Sequence, residues 1–369
     1  MTGMDEASLF GVEPEELSAV RSAFTEATYR GLEYAYLGSP TRGIERGTVR
    51  IADTLVRGYP STPRVLMLDP GVPTFFDGPL AIEEKLNGYN VRIAHVGEPL
   101  AFTRSGRICP YTTRIAREQL NLQAFFAAHP DRMLCAEFVG PENPYTPHEY
   151  DVDSLEPRVF DVRHRETGRP MPVKQRRAIA ERFDFPQPDW FGVVDPGDIE
   201  SIREAITELD ARGREGIVMQ SMDGRDLLKY TTAATHRQDL ESAFALPFDY
   251  GQEFLFSRLI REGFQAVEFD ADETAIRERA HGLGEAILEP MVETIRAVEA
   301  GETVGERHTV RGSDSAVGEL LIHLEEQGLS IEIEADRRQG GERIVEFVKI
   351  SNTTRDKIEH FLAGGTIDQ

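Results

Sequence analysis

Residues 83–92 read E-E-K-L-N-G-Y-N-V-R, and the lysine among them, Lys85, decides how the rest of the chain is understood. The chain carries five lysines (Lys85, Lys174, Lys229, Lys349 and Lys357), which leaves 36 of its 41 basic residues as arginine. A lysine amine is a nucleophile only when neutral, and burial or a neighbouring cation favours that form. Arginine, with a pKa above about 12, cannot take that role. Glu83 and Glu84 oppose it if their carboxylates face the amine, so a catalytic Lys85 requires them to point elsewhere or to hold substrate. Asn87-Gly88 is a tight-turn signal, which puts Lys85 at a strand end projecting into a cleft. Taken alone, the stretch fits an exposed lysine beside a hairpin turn equally well.

A chain of 369 residues with 40% hydrophobic and 28% charged side chains has the composition of a globular protein with a sizeable core, and its length suggests two to four domains. No run approaches 18 uninterrupted apolar residues and the N-terminus lacks a basic start followed by an apolar core. No membrane span or secretion signal is therefore expected, and the cytoplasm is the expected compartment. Cys109 and Cys135 are too few for a disulfide framework or a four-thiolate zinc site, and the nine histidines show no metal-ligand spacing. A net charge of −23 argues, by itself, against a polyanionic partner. Acidity with scarce lysine also describes a protein built for a high-salt cytoplasm, where carboxylates stay hydrated and 1 M salt screens repulsion to about 3 Å. That halophilic reading is favoured, and the arginines can still form a local basic groove.

Helical spacing of apolar residues predicts an amphipathic helix over 13–30, and 45–69 punctuates like short strands, ending in R-V-L-M-L-D. From about 70 to 233, β-rich runs alternate with Gly and Pro and are interrupted by helical runs at 114–128 and 174–183. Residues 234–300 look helical, with apolar faces that need a partner in the domain before them or in a second subunit. The tail from 306 reads strand, helix (315–327), hairpin and helix (353–363), with Gln-Gly-Gly near the hairpin turn. The expected fold is α+β, a domain of antiparallel sheets with inserted helices, divided as 1–69, 70–233, 234–300 and 301–369.

E-K-L-N-G resembles the Lys-x-(Asp/Asn)-Gly signature of the covalent nucleotidyltransferases, the superfamily of ATP-dependent ligases and RNA-capping enzymes. Five further elements follow in that superfamily's order: A-F-T-R-S-G (101–106), C-A-E-F-V-G (135–140), V-F-D-V-R (159–163), E-G-I-V-M (215–219) and L-L-K-Y (227–230). The fuller stretches E-E-K-L-N-G-Y-N-V-R-I, E-F-V-G-P-E-N-P-Y and L-L-K-Y-T-T resemble the archaeal homodimeric ATP-dependent RNA ligases most closely. The resemblance implies a nucleotidyltransferase (ATP-grasp-like ligase) domain flanked by an N-terminal module, a helical dimerisation region and a C-terminal module.

It further implies that Lys85 attacks the α-phosphorus of ATP and holds AMP as a phosphoramidate. The AMP then passes to a 5′-phosphate RNA end, and a 3′-hydroxyl displaces it to seal the strands. Glu215 would bind Mg2+ or Mn2+, and Lys229 would contact the α-phosphate and favour the neutral amine on Lys85. Arg104 would meet phosphate or ribose, Glu137 the ribose hydroxyls and Phe160 the adenine face, with Glu83 or Glu84 reading adenine. Asn90 matches an asparagine used in sealing and fits an ordinary strand residue equally well. Lys174 with Arg176 and Arg177 fits either an RNA-phosphate contact or a solvated helix face. Two details depart from the family pattern: Asn87 stands where many relatives have Asp, and Lys229 is not followed by a second lysine two residues on. A DNA ligase or guanylyltransferase would append a β-barrel where residues 234–300 look helical. A non-catalytic RNA- or nucleotide-binding scaffold would have lost Lys85, Glu215 or Lys229.

Overall fold

A computed structural model describes residues 7, 10–146 and 150–367 of the chain. Its first part is a short helix α1 (Leu17–Ser22) followed by a four-stranded antiparallel sheet of β1 (Phe24–Tyr29), β2 (Leu32–Leu37), β3 (Val49–Ile51) and β4 (Thr54–Val56), paired in that order. The helix expected over 13–30 is thus half strand. Phe24, Thr25, Thr28 and Tyr29 are strand formers, and cross-strand pairing with β2 outweighs their helical spacing. The R-V-L-M-L-D run is not a strand either. Its start makes a single parallel bridge, Arg64 to Lys229, and Leu68 opens helix α2 (Leu68–Phe75).

The middle of the chain builds two four-stranded sheets. Along the sequence come β5 (Leu80–Lys85), β6 (Tyr89–Val96), β7 (Glu98–Thr103), α3 (Pro110–Gln119), α4 (Leu122–Ala128), β8 (Arg132–Val139), β9 (Glu156–His164), α5 (Val173–Arg182), β10 (Trp190–Val194), α6 (Ile199–Ala211), β11 (Gly216–Ser221) and β12 (Leu227–Thr231). One sheet has the order β10-β5-β11-β12 and the other β7-β6-β8-β9, all antiparallel. Asn87-Gly88 is therefore no hairpin, because β5 and β6 lie in different sheets and the dipeptide carries the chain from one to the other. Gly88 is needed for close approach: a Cβ there would sit 2.1 Å from the Phe138 carbonyl oxygen. Helix α6, which strand-centred reading passes over, buries Ile202, Ile206 and Leu209 against Ile82, Ile217 and Met219. Each such side chain contributes roughly 1.5–3 kcal/mol by leaving water.

Three helices follow, α7 (Ala233–Ala245), α8 (Gln252–Glu268) and α9 (Glu273–Glu299), as the apolar periodicity predicts. Thr232 and Asp272 cap the first and third through their side-chain oxygens. The end of the described chain is β13 (Gly305–Gly312), α10 (Asp314–Glu326), β14 (Ile331–Gln339), β15 (Glu342–Ile350) and α11 (Asn352–Leu362), in sheet order β13-β15-β14. The β14–β15 turn is Gly340-Gly341, both at positive φ, as a tight two-residue hairpin demands. Val310, Leu320, Leu324 and Phe347 from this segment share one core with Tyr111, Ile115 and Phe138, so it packs directly on the β7-β6-β8-β9 side. Among the described residues no helix is long and apolar enough to cross a membrane.

Candidate active site

A cavity of about 460 Å³ opens where the two middle sheets meet. Strand register decides what enters it. Across the β5–β11–β12 sheet, Glu83, Val218 and Lys229 stand in one row, and Lys85, Gly216 and Thr231 in the next. Directly opposed residues share a face, and so do residues two apart on a strand, so both rows look the same way. In the facing sheet, Asn90 of β6 pairs with Glu137 of β8. A bulge between Cys135 and Ala136 of β8 leaves Phe160 of β9 without a register partner. Lys85, Lys229, Glu83, Asn90, Arg104, Glu137 and Phe160 all line the cavity, and the remaining expected residue, Glu215, touches Lys85.

Lys85 is the last residue of β5, and its Nζ lies 2.5 Å from Oε2 of Glu215. Gly216, the cross-strand partner of Lys85, has φ +143°, and a Cβ there would fall 2.2 Å from the Tyr230 carbonyl oxygen. The glycine of E-G-I-V thus lets β11 pass close to β12 while Glu215 reaches the amine. Lys229 has its pKa lowered to about 8, chiefly by burial, then by the charges of Arg64 and Lys85, with Glu215 opposing. Glu137 keeps some exposed surface toward the cavity but is otherwise enclosed, and burial raises its pKa to about 7 while the Lys85 charge pulls the other way. The Oδ1 of Asn90 is buried with no hydrogen-bond partner among the described residues.

Arg104 follows β7 and donates to the carbonyl oxygens of Tyr59 (2.9 Å) and Pro60 (3.4 Å); burial lowers its pKa. Phe160 meets the Tyr59 ring edge-on at 5.2 Å. Residues 59–62 therefore form a wall of the cavity that the motif series does not signal; G-Y-P reads from sequence only as strand punctuation. Glu83 accepts from Arg176 (2.5 Å) and from Arg177 (2.6 Å), and Arg177 also lies over the Trp190 ring at 4.6 Å. The expected basic cluster on α5 is thereby corrected: Arg176 and Arg177 turn inward to a carboxylate, and of the three only Lys174 is exposed. Glu84 points to Tyr150, whose hydroxyl donates to it at 2.7 Å, and burial raises the Glu84 pKa. Asp161 is buried against Arg163 at 2.6 Å and serves the sheet.

Among the described residues there is no group of three or more His, Cys, Asp or Glu able to hold a metal ion. One or two carboxylates beside a phosphate site suit a magnesium ion, which keeps its waters and takes substrate oxygens. Glu215 and Glu137, close enough to influence one another's charge, fit that pattern.

A strand-end lysine facing a carboxylate, with a second lysine in the cavity beside it, is the arrangement expected of a nucleotidyltransferase. The RNA ligase family model matches residues 78–231, and the model described as the Ligase Pab1020 C-terminal region matches 242–365. An uncharacterized protein of Methanocaldococcus jannaschii is 39% identical over 360 residues, spanning 93% of this chain and 91% of its own. A solved structure of an archaeal ATP-dependent RNA ligase (form 1) superposes with TM-score 0.92 at 37% identity and full coverage of both chains. A putative ATP-dependent DNA ligase of Aquifex aeolicus superposes with TM-score 0.89 at 24% identity, covering 96% of this chain and 100% of its own, and so shares the fold. The chain belongs to the archaeal ATP-dependent RNA ligase family.

Proposed function

We propose that this chain joins 5′-phosphate and 3′-hydroxyl RNA ends at the expense of ATP, with Lys85 as the covalent carrier of AMP. The Nζ of Lys85 forms a bond to the α-phosphorus, the bond to the β-phosphate oxygen breaks, and pyrophosphate leaves with the electron pair. Glu215, 2.5 Å away, takes the proton that the amine gives up. A carboxylate facing the amine also favours its charged form, and the charge of Lys229 works against that. An oxygen of the RNA 5′-phosphate then attacks the same phosphorus, the P–N bond breaks and the amine regains a proton. Attack of the 3′-hydroxyl on the 5′-phosphorus finally releases AMP.

In this reading the base lies between Phe160 and Val218 with its edge toward Glu83, Glu137 accepts the ribose hydroxyls, and Lys229 and Arg104 meet the phosphates. Asn90, with a buried oxygen lacking a partner among the described residues and Glu137 beside it, is available to an RNA end during sealing. A divalent cation held by Glu215, with Glu137 adding negative charge nearby, would neutralise phosphate charge. The observation that carries the reading is the Lys85–Glu215 pair beside a cavity also lined by Lys229, Glu83, Asn90, Arg104, Glu137 and Phe160. α-Labelled ATP with magnesium or manganese tests it: label bound covalently to the wild type and absent from Lys85→Ala is the expected result. Labelling by GTP and not ATP would mean guanylyl transfer, and no label from either would mean a binding scaffold.

The same reading includes a homodimer. Helix α8 buries Glu262, Gln265 and Glu268 and exposes Phe256 (65%), Val267 (67%), Leu259, Ile260 and Phe264. An inverted helix of this kind supports a second copy covering its apolar face. The charge of −23 with 36 arginines among 41 basic residues supports work in high salt.

A further inference from the structure

The lysyl-AMP reading leaves two arginines beside the reacting lysines without a task. Residues 63–65 run alongside β12: Lys229 N donates to Pro63 O at 3.0 Å and Val65 N to Lys229 O at 3.1 Å. Arg64, between them, donates from Nη1 to Oγ1 of Thr231 at 2.5 Å. Thr231 belongs to the same cross-strand row as Lys85. Moving along the strands from the row of Glu83 and Val218 to the row of Lys85 and Thr231 covers about 7 Å. Lys229 stands in the first of these rows and Lys85 in the second, and Arg64 meets the second through Thr231. Arg261 of α8 stands near enough for its charge to act on both Arg64 and Lys229.

Among the described residues, no carboxylate lies within ion-pair distance of Arg64, Lys229 or Arg261. The contrast with Arg258, one turn earlier on α8 and held by Asp239 at 2.8 Å, is direct. The Arg261 guanidinium donates to Ser257 Oγ at 3.4 Å. Glu215 and Asp239 act on these cations only from a distance; gathering three partly buried cations with no carboxylate in contact is unfavourable in the free protein, and a bound polyanion offsets that cost. In a chain of net charge −23 a carboxylate partner would have been easy to supply.

The arrangement is also held rigidly from behind. Oγ1 of Thr231 lies 2.6 Å from Nε2 of His236, whose Nδ1 lies 2.7 Å from Glu262, and all three side chains are buried. The protonation that satisfies this chain has His236 donating to Glu262 from Nδ1, while Thr231 donates to Nε2 and accepts from Arg64. This is why α8 buries a glutamate: it fixes the hydroxyl on which Arg64 rests.

We propose that Arg64 and Arg261, beside Lys229, form a phosphate subsite that takes the leaving pyrophosphate of ATP and then the 5′-phosphate of the RNA. The proposal rests on the lysyl-AMP reading and on the geometry of in-line displacement. Pyrophosphate departs on the side of the α-phosphorus opposite the Lys85 amine. The RNA 5′-phosphate must break the P–N bond from that same side, so one set of cations meets both.

The test starts from isolated enzyme–AMP. In one arm pyrophosphate is titrated and released ATP is measured; in the other a 5′-phosphorylated oligoribonucleotide is titrated and AMP transfer is measured. The variants are Arg64→Gln, Arg261→Gln and Arg64→Lys, and affinity of the free enzyme for AMP reports on the base site and fold. Loss of a charged hydrogen bond of this kind raises a half-saturating concentration about 10- to 100-fold. Such a rise is expected in both arms for both Gln variants, partly restored in Arg64→Lys, with AMP affinity unchanged. A rise in one arm alone, or in neither, overturns the shared subsite. Should Arg64→Gln also lose AMP binding, Arg261→Gln, on the partly exposed side of α8, decides the matter. Wild-type protein that forms no enzyme–AMP would sink the lysyl-AMP reading itself and this inference with it.

Discussion

Lys85 Nζ and Glu215 Oε2 are 2.5 Å apart although 130 residues separate them in sequence, and the pairing of Gly216 with Lys85 in the β5–β11 register sets that distance. The two are side by side because β11 inserts between β5 and β12. Glu215→Gln keeps the shape and removes the proton acceptor and the negative charge. Formation of enzyme–AMP should fall by about 10²- to 10⁴-fold, the usual worth of a positioned acid or base. Single-turnover labelling with ATP measures this, and a loss under tenfold would remove Glu215 from the chemistry.

Glu83 is held by Arg176 and Arg177, so its carboxylate is fixed as an acceptor at the cavity edge. An acceptor there suits the exocyclic amine of adenine and repels the carbonyl oxygen of guanine. Glu83→Gln should lower the ATP-to-GTP ratio of kcat/KM for adenylylation at least about tenfold. Glu83→Ala leaves the buried Arg176 without its counter-charge and should cost about 3–5 kcal/mol of stability, read by chemical denaturation.

Much of this site is legible in the sequence because each motif is short and sits on one strand. Lys85, Glu137, Phe160, Glu215 and Lys229 are picked out by the motif series that the family resemblance supplies; four of them line one cavity, and Glu215 touches Lys85 beside it. What is not legible depends on contacts between distant segments. Nothing in V-K-Q-R-R says that Arg176 and Arg177 turn toward a glutamate more than 90 residues earlier. Tyr59 and Arg64 enter through irregular chain that has no period to read. The strand at 24–29 is missed because helical spacing and strand propensity point in opposite directions there, and pairing with β2 decides between them. Helix α6, by contrast, has plain helical spacing in Ile199, Ile202, Ile206 and Leu209 and could have been found.

Glu137 gives up its proton near pH 7 in the folded chain and near the ordinary glutamate value of 4.5 when unfolded. Between those values the folded form holds the extra proton, so stability contributed at low pH is lost as pH rises through the window. Glu137→Gln carries no charge to bury. Its Tm should match the wild type below about pH 4.5 and exceed it above pH 7. Paired melting curves across pH 4–8 check this, and a constant difference between the two proteins would count against it.

Lys229, with its pKa lowered to about 8, is charged in the free protein below that pH and increasingly neutral above it. A triphosphate beside it favours the charged form, so binding ATP above pH 8 must bring a proton along. ATP affinity should therefore fall as pH rises through about 8, by up to about tenfold per pH unit from this group. Lys229→Met should bind ATP more weakly at pH 7 and lack that alkaline decline. Calorimetry in buffers of different ionisation enthalpy would detect the proton uptake in the wild type and its absence in the variant.

Helix α8 carries Glu262, Gln265 and Glu268 inward and Phe256, Leu259, Ile260, Phe264 and Val267 outward. The inward set is committed: Glu262 to His236 and Arg279, and Glu268 to Arg203 and the Leu68 amide. The helix therefore cannot rotate to hide its apolar face, and only another surface can cover it. Replacing Phe256 and Val267 with Asp should convert a dimer to monomer in sedimentation while leaving the melting of the isolated fold intact, since neither side chain is part of a core. A wild type that sediments as a monomer at micromolar concentration in molar salt would refute the dimer. High salt strengthens apolar contacts and screens the repulsion of two chains of charge −23, so those conditions favour association most.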